Sequence, residues 1–333
     1  MTDRSSFSIP SFRLQRNLDH KEKIMARIVV IGSSNTDMVI KSRTIPRPGE
    51  TVIGGKFVCN AGGKGANQAV AAARLGANVA MVARVGADMF GEQAKAGFEK
   101  EGIDVSCVKM DETAATGIAL ILVDENAENS ISVASGANEN LSPADVDEAE
   151  AKFHLISTAD ILVVQLETPM ATLLHTAELA EKFGIPLILD PAPAPQNGLP
   201  DELLSRLTLL KPNETEASYI TGIEVCDLAS AQKAVSVLHK RGVKQVIVTL
   251  GKEGVLVSDG TSAPVHVPSI AVEAIDSTAA GDAFSGALAC ALAEGRSLLD
   301  AARFAVTAAG LSVTKLGAQQ SMPTRAEVEA KLA

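Results

Sequence analysis

The sequence predicts an α/β fold, a Rossmann-like three-layer structure with a central, mostly parallel sheet flanked by helices and a small β-sheet lid. From residue 160 onward, short apolar runs alternate with helical segments, which is the order of parallel strands joined by crossover helices. Hydrophobic residues make up 46% of the 333 residues but aromatic residues only 3%, so the core must be aliphatic, as in helix-covered parallel sheets. Two early pairs of short strand patterns interrupt the alternation and are predicted to form the lid.

The chain divides into a polar leader and one large domain. Residues 1–24 lack the apolar stretch of a secretory signal and precede Met25, where a strand pattern begins. We interpret them as a disordered leader, residues added for expression or an upstream start. An organellar transit peptide is a further alternative, but the acidic residues of this segment weigh against it. Residues 25–333 are predicted to form the α/β domain, with lid strands drawn from about 36–60 and 114–135.

The first half of the domain is predicted from apolar runs and from glycine and proline breakers. Arg27–Gly32 is an apolar run that ends in glycine, which is typical of a buried first strand. The other predicted strands here are Val39–Lys41, Thr51–Val58, Asn78–Ala83, Thr116–Val123 and Ser130–Ala134, and the predicted helices are Lys64–Leu75 and Phe90–Glu101.

The second half alternates regularly between the two element types, which predicts βα units. The predicted strands are Asp160–Gln165, Pro186–Asp190, Leu207–Lys211 and Gln245–Leu250. The predicted helices are Pro169–Lys182, Glu214–Thr221, Ala229–Arg241, Ala280–Glu294 and Ser297–Val313.

Charge and cysteine usage exclude several function classes. The formal net charge is −10 and no cluster of lysine and arginine is present, so a nucleic-acid-binding face is not expected. The four cysteines lack CxxC spacing, which argues against a zinc site or a disulfide framework and fits a cytoplasmic enzyme with reduced thiols. No apolar run reaches membrane-spanning length, so we expect no membrane partner.

The segment Ile275–Phe284 (IDSTAAGDAF) carries the strongest local signal for chemistry. Its small residues, Thr278–Gly281, let a ligand approach the backbone, and the N–H groups of the following helix suit a transferring phosphoryl group. Asp282, in the first turn of that helix, can accept a proton from an attacking hydroxyl. The alternative is that Asp282 only caps the helix.

The segment Asn60–Gln68 (NAGGKGANQ) is the second signal. Its glycines allow close backbone approach, and Lys64 and Asn67 lie one turn apart at a helix start, where both can reach a hydroxylated ligand. The alternative is an ordinary glycine turn before a helix. Neither a Walker A string nor a dinucleotide-binding glycine fingerprint occurs in the chain, which weakens the P-loop NTPase and dehydrogenase interpretations.

Two further segments carry weaker signals. In Lys211–Glu216 (KPNETE), Glu216 could hold Mg²⁺ through waters, or the segment could be a capped helix start with Asn213 or Thr215 as the cap. The glycine loop Thr249–Gly254 (TLGKEG) follows a strand and could pass close to a nucleotide phosphate.

Taken together, these segments resemble the ribokinase-type carbohydrate kinases, the phosphofructokinase-B family, from Arg27 to about Leu332. The two specific motifs are the string Gly62–Gln68 with its helix VAAARLG, and IDSTAAGDAFSGAL. Within the family, GSSNTD, RPGET, QLE, DPAPA, PNETEA, TLGKEGV and GAQQSMP are closest to the members that phosphorylate ribose. The resemblance implies ATP-dependent phosphorylation of D-ribose at its 5-hydroxyl, with Mg²⁺ and K⁺ as cofactors.

The resemblance also implies a role for each matching residue. The sugar would be held by Asn35, Asp37, Gly63, Lys64, Asn67 and Glu167, with Asp282 as the base and the Ala279, Ala280, Gly281 and Asp282 amides as the anion hole. The nucleotide would be lined by Asn213, Thr249, Gly251, Lys252, Gly254, Gly281 and Val306, the last through packing only. Glu216 would hold Mg²⁺ through water, and a monovalent cation would be bound, mostly through carbonyls, by Asp276, Thr278, Ser312, Lys315, Gly317 and Ser321. The role of Asp190, where many relatives have asparagine, stays open.

Other functions remain possible at this stage. The same mechanism could serve deoxyribose, another small sugar or a nucleoside, although the scarcity of aromatics disfavours a nucleoside base. A non-catalytic sugar-binding protein on the same fold is an alternative of a different class, and an oxidoreductase is a third.

The predicted lid strands supply more apolar surface than the roof of one sugar pocket needs, so we expect a homodimer formed through the lid. The residues concerned are Val39, Val52, Ile53, Val58, Ile118, Leu120, Leu122 and Ile131.

Overall fold

The structure is a computed structural model that describes residues 25–126 and 128–332, so the leader predicted at residues 1–24 lies outside the described residues. The strands are β1 Arg27–Ile31, β2 Asn35–Lys41, β3 Lys56–Gly62, β4 Asn78–Gly86, β5 Asp104–Asp111, β6 Gly117–Val123, β7 Asn129–Ala134, β8 Ile161–Gln165, β9 Leu187–Asp190, β10 Leu209–Leu210, β11 Gln245–Thr249, β12 Val255–Ser258 and β13 Val265–Val267. The helices are α1 Lys64–Arg74, α2 Met89–Lys100, α3 Pro143–Phe153, α4 Met170–Phe183, α5 Asp201–Arg206, α6 Glu214–Thr221, α7 Leu228–Lys240, α8 Ala280–Ala293, α9 Leu298–Ser312 and α10 Arg325–Leu332.

The larger sheet has nine strands in the order β13-β12-β11-β10-β9-β8-β1-β4-β5. The strands from β11 to β5 run parallel, and β12 and β13 are added antiparallel at one edge. One face is covered by α1, α2, α8, α9 and α10, and the other by α3 to α7, so the sheet lies between two aliphatic cores. The predicted α/β class with a mostly parallel, helix-flanked sheet is confirmed.

The smaller sheet has four strands in the order β3-β2-β6-β7, with β2 and β6 parallel and the outer pairs antiparallel. The prediction of a strand at Thr51–Val58 was wrong, because β3 begins at Lys56. Its register is set by pairing along all of β2, from Lys41 opposite Lys56 to Asn35 opposite Gly62. This pairing extends the strand into the glycine string, which local hydrophobicity does not mark as extended.

Several elements of the structure had no counterpart in the sequence prediction. They are β5, α3, α5, β12, β13 and α10. The three strands lie at or next to an edge of the larger sheet, and β13 has only three residues. The edge strands β5 and β13 bury less side-chain surface than central ones, so their apolar patterns are weak, whereas β12 (VLVS) is fully buried but has only four residues. Helix α3 is rich in acidic residues, and its start is fixed by a capping box between Ser142 and Asp145.

Helices α1 and α8 pack very closely on one face of the larger sheet. The contact requires Gly286, since a Cβ atom there would lie 2.6 Å from the Ala71 Cβ and 2.7 Å from the Gln68 carbonyl oxygen. The close approach brings the first turns of the two helices together beyond the carboxyl ends of β1, β8 and β9, where ligands of parallel sheets bind.

The lengths of the helices and the state of the cysteine thiols bear on membrane spanning and on disulfide bonds. Among the residues that the structure describes, no helix has both the length and the apolarity needed to cross a bilayer. The four cysteines are free thiols, two buried and two exposed.

Candidate active site

Asp282 lies at the centre of the candidate site, in the first turn of α8, and is 6% exposed. Its two carboxylate oxygens accept hydrogen bonds from side-chain amides of α1: Asn67 donates to Oδ2 at 2.9 Å and Gln68 to Oδ1 at 3.0 Å. The Asp282 carboxylate therefore does not cap α8. The alternative interpretation, in which Asp282 is only a helix cap, was wrong. Burial raises the pKa of Asp282 to about 6, against the opposing attraction of Lys64.

The start of α8 presents unused backbone donors. Ala279, the residue before the helix, has φ 59°, a left-handed conformation that is strained for a residue with a Cβ. The N–H of Ala280 donates to Ser277 and that of Ala283 to Ala279, whereas no acceptor within the described residues faces the N–H groups of Gly281 and Asp282. First-turn N–H groups of this kind are suited to binding an anion.

Asp190, at the end of β9, joins Asp282 in a buried polar network that sequence reasoning did not assign. Gln68 Nε2 donates to Asp190 Oδ2 at 2.8 Å as well as to Asp282. The same Asp190 oxygen accepts from the Ser285 hydroxyl at 3.0 Å and forms an ion pair with Lys211 Nζ at 2.9 Å. Both partners of the ion pair are almost fully buried.

The residues predicted to hold the sugar lie on the other side of Asp282. Glu167 Oε2 accepts from the Lys64 backbone N–H at 2.9 Å and from the Ser33 hydroxyl at 2.5 Å. Asp37, on β2, is half-buried, and burial and the nearby carboxylates of Glu167 and Asp282 raise its pKa to about 6. The side chain of Lys64 is close enough to offset part of this negative charge.

The remaining predicted sugar residues adjoin this group. Gly63 adopts φ 88° at the start of α1, and a Cβ there would lie 2.7 Å from the backbone nitrogen of Asn35, so only glycine fits. The Asn35 side chain accepts from Asn138 at 2.7 Å, a contact that the sequence did not indicate. Asn35 and Glu167 both line a cavity of about 530 Å³.

A second cavity of about 750 Å³ opens on the α8 side of Asp282. It is lined by all the residues predicted to contact the nucleotide, namely Asn213, Thr249, Gly251, Lys252, Gly254, Gly281 and Val306. Lys64, Asp190, Lys211, Glu216 and Asp282 also line it, so the sheet end of this cavity carries most of the charged groups of the site. Its apolar wall includes residues that sequence reasoning missed, namely Ile270, Ala271, Val272, Ala309, Gly310 and Val313.

Glu216 lines the larger cavity and also completes a capping box with Asn213, in which each side chain accepts the other residue's backbone N–H at 2.8 Å. The helix-cap interpretation is therefore correct for Asn213. Burial and the nearby Asp190 carboxylate raise the pKa of Glu216, against the attraction of Lys211. In the described ranges, no three side chains among His, Cys, Asp and Glu are grouped to hold a metal, so a cation at Glu216 would need water and ligand oxygens to complete its coordination.

The residues predicted to bind a monovalent cation are only partly brought together by described contacts. Asp276 accepts from the Thr278 N–H and hydroxyl at 2.9 and 2.6 Å and from the Gly317 N–H at 2.9 Å. Lys315 N–H donates to the Ser312 carbonyl at 3.1 Å, while its side chain pairs with Glu327. The Ser321 hydroxyl donates to Ala318 instead of facing Asp276.

The site residues that the sequence missed had one usable signal. Lys211 directly follows a strand of the larger sheet, the position at which ligand-contacting residues of parallel sheets are expected, whereas Asp190, at the end of another strand, was already a candidate whose role stayed open. Gln68 follows the predicted Asn67, but nothing in its local sequence indicates that it bridges two carboxylates.

Comparison with known proteins places this arrangement among sugar kinases. A family model described as pfkB family carbohydrate kinase matches residues 25–325. A ribokinase of Haemophilus influenzae is 47% identical over 300 residues, which cover 90% of this chain and 96% of that protein. A deoxyribokinase of Salmonella typhi is 37% identical over 297 residues, covering 89% and 95% respectively. The solved structure of Arabidopsis thaliana ribokinase complexed with ribose and ATP superposes with a TM-score of 0.86 at 35% identity, covering 93% of this chain and 99% of that one.

Proposed function

The chain belongs to the pfkB family of carbohydrate kinases, and we propose that it transfers the γ-phosphoryl group of ATP to the 5-hydroxyl of D-ribose. The observation that carries the proposal is the position of Asp282. It lines the cavity that also contains Asn213 and Thr249, and it accepts a hydrogen bond from Asn67, one of the predicted sugar residues, so one carboxylate adjoins both substrate regions. The similarity to a ribokinase whose structure holds ribose and ATP supports the choice of substrates.

In the proposed reaction, Asp282 is the general base. The ribose O5 forms a bond to the γ-phosphorus, the bond from that phosphorus to the β,γ-bridging oxygen breaks, and ADP leaves with the bonding electron pair. The hydroxyl proton passes to Asp282, whose pKa of about 6 keeps it ionised at neutral pH yet basic enough to accept a proton. The amides of Asn67 and Gln68 hold the carboxylate in place.

The start of α8 is proposed to stabilise the negative charge on the transferring group. The N–H groups of Gly281 and Asp282 supply two donors whose orientation is fixed before the substrates bind, which is the condition for an anion hole to lower a barrier. Phosphoryl transfer depends mainly on such positioning and charge stabilisation. The left-handed Ala279 is the strained residue that starts the helix in this orientation.

Two cations fit the proposal. Glu216, with water and phosphate oxygens, suits Mg²⁺, which when bound neutralises charge on the ATP phosphates. Burial alone would raise the pKa of Asp276, but hydrogen bonds from Thr278 and Gly317 hold it below its usual range, so this carboxylate is ionised. The charge of Lys41 also favours the ionised form of Asp276, although no ion pair joins the two within the described residues, and an ionised carboxylate here suits K⁺ held with backbone carbonyls.

We also propose that the protein is a homodimer joined through the smaller sheet, which serves as a lid over the sugar. Because side chains alternate along a strand, Asp37 faces the site while Ile40 faces away. Phe57 lies opposite Ile40 and shares its face with Leu120. These three apolar side chains are 41%, 62% and 53% exposed, so the outer face of the lid offers a surface for a second copy. The free thiols fit a cytoplasmic location.

The decisive experiment measures ADP formation by the purified protein with ATP, Mg²⁺ and K⁺ and a panel of ribose, deoxyribose, other pentoses and nucleosides. The highest kcat/KM is expected for ribose, and phosphorus NMR should place the phosphate on C5. A preference for deoxyribose would move the assignment to that relative's substrate. Sugar binding without ADP formation from any compound would instead support a non-catalytic sugar-binding protein. The Asp282→Asn protein is the matched negative control.

A further inference from the structure

The ion pair between Lys211 and Asp190 is the part of the site that the proposed reaction leaves unused. Asp190 is 2% and Lys211 4% exposed. Desolvating two charges is costly, and a buried pair is often no more stabilising than apolar residues of the same volume. The pair nevertheless lies in the wall of the larger cavity instead of the interior of the core. A buried pair at that place calls for a role that apolar residues could not fulfil.

The surroundings of Lys211 indicate what that role is. Nζ lies 2.9 Å from Asp190 Oδ2 and 3.4 Å from the Gly281 carbonyl oxygen, so the ammonium lies against the first turn of α8. An ammonium has three N–H donors. The two described acceptors account for two of them, and the third is available to a ligand in the cavity that Lys211 lines.

We propose that Lys211 is a phosphate-binding residue whose ammonium contacts the γ-phosphoryl group of the nucleotide, and that Asp190 is the positioning residue that holds it. The inference rests on the proposed kinase function. Lys211 lines the same cavity as Gly281 and Asp282, so its ammonium and their free N–H groups can contact one bound anion. It would thus add charge stabilisation where negative charge is transferred.

The charge balance of the cavity supports this assignment. Lys252 and Glu214 line the cavity that is to receive a polyanion, and so do the carboxylates of Asp190, Glu216 and Asp282. Lys64 lies where it is surrounded by these carboxylates and by Glu167, so its charge is shared with the sugar side. Lys211 neutralises Asp190 directly, and its remaining donor then serves the phosphate.

A neutral replacement of both partners separates phosphate binding from structural pairing. The variant Asp190→Asn with Lys211→Met removes the cation without leaving a buried charge unpaired, and the introduced amide oxygen can still accept from Gln68 and Ser285. We expect its thermal stability to match that of the unmodified protein, while kcat falls by roughly 10²–10³-fold, as for the loss of one donor to a developing charge. Lys233→Met, which removes an exposed lysine from α7, is the control and should change nothing.

The sharper measurement compares two nucleotides by calorimetry. A non-hydrolysable ATP analogue carries the γ-phosphoryl group and ADP does not, so the ratio of their Kd values reports contacts to that group. We expect the double variant to weaken binding of the analogue at least tenfold and to leave ADP binding within about twofold, because one charged hydrogen bond is worth roughly a factor of ten or more. Unchanged binding of both ligands with normal kcat would show that Lys211 only neutralises Asp190, and equal weakening of both would place it on another phosphate.

The ratio of the two Kd values remains informative even if the double variant is partly unfolded. It does not depend on the fraction of folded protein, because both ligands sample the same folded molecules. Should the double variant not accumulate, Asp190→Asn with Lys211→Gln provides a polar second pair with the same expected ratio. A protein that binds nucleotide but forms no ADP with ribose would overturn the proposed function and leave this binding test intact.

Discussion

The substitution Asp282→Asn is predicted to remove most activity and at the same time to stabilise the protein at neutral pH. Burial raises the pKa of Asp282 from 3.8 to about 6. A carboxyl whose pKa is higher in the folded state binds its proton more tightly there, so stability is lost as the pH rises through this range and the buried group ionises. Linkage puts the cost at about 3 kcal/mol at pH 7.5 and at about half of that at pH 5.

The structure also indicates how the asparagine side chain of this variant would be accommodated. Its amide nitrogen would face one of the two donors that now point at the carboxylate. The Oδ1 atom of Asn67 is buried and has no partner, so rotating that amide by 180° would offer an acceptor to the new nitrogen. The hydrogen bonds are then retained, and we expect a gain of about 1–3 kcal/mol at pH 7.5, or roughly 2–6 °C in Tm.

The assay combines kinetics with calorimetric unfolding at pH 7.5 and pH 5. We expect kcat to fall by roughly 10²–10⁴-fold with sugar affinity mostly intact, and the gain in stability to be about half as large at pH 5. Asp300→Asn, at the first turn of α9 but exposed, is the matched control and should neither stabilise the protein nor lower kcat. A destabilised Asp282→Asn protein, or a gain that does not change with pH, would refute the burial argument, and near-normal kcat would remove Asp282 from the mechanism.

Three further predictions test the sugar residues, the monovalent-cation site and the dimer interface. Asp37→Asn should weaken ribose binding by about 1.5–3 kcal/mol, the value of a charged hydrogen bond, without changing ADP binding, and an unchanged calorimetric Kd for ribose would show that β2 does not contact the sugar. At fixed ionic strength, kcat should be higher in K⁺ than in Na⁺ or tetramethylammonium, and the difference should vanish in Asp276→Ala, whereas equal rates in all three salts would contradict the cation site. Phe57→Asp should shift the protein to monomer in sedimentation at micromolar concentration while Met89→Asp, another exposed apolar position, should not; a dimer that survives Phe57→Asp would place the interface elsewhere.

The parts of the fold that the sequence predicted well are those with strong local signals. Helix α1 begins at Lys64 as predicted, after a glycine with positive φ, and α8 begins at Ala280 as predicted, although there the residue with positive φ is Ala279. The central strands β1 and β8 match because they are buried on both faces and read as continuous apolar runs. The bounds of β3 could not be found this way, since its register comes from pairing with β2.

The candidate site likewise has parts that leave a local sequence signal and parts that depend on tertiary contacts. Asp282 and the loops that line the larger cavity could be located because small residues, helix starts and strand ends are visible in short segments, and their roles stay predictions. The network that joins Gln68, Asp190, Lys211 and Asp282 could not, because its members come from four segments far apart in the chain. Nothing in a local pattern determines which of several strand-end side chains converge, and that depends on strand order and on how closely α1 and α8 pack.

The tight contact between α1 and α8 at Gly286 has a consequence for engineering a new sugar preference. The proposed base, Asp282 on α8, and the amides of α1 that hold it belong to one closely packed unit, so a larger side chain in either first turn would displace this carboxylate together with its hydrogen-bond donors. Asp37 and Asn35 belong to the smaller sheet, where the Asp37 carboxylate lies against Gly62 and the Asn35 backbone against Gly63 at the start of α1, so these two glycines must be kept. Libraries that seek acceptance of other sugars should therefore diversify β2 and β6 and leave the two helix starts untouched.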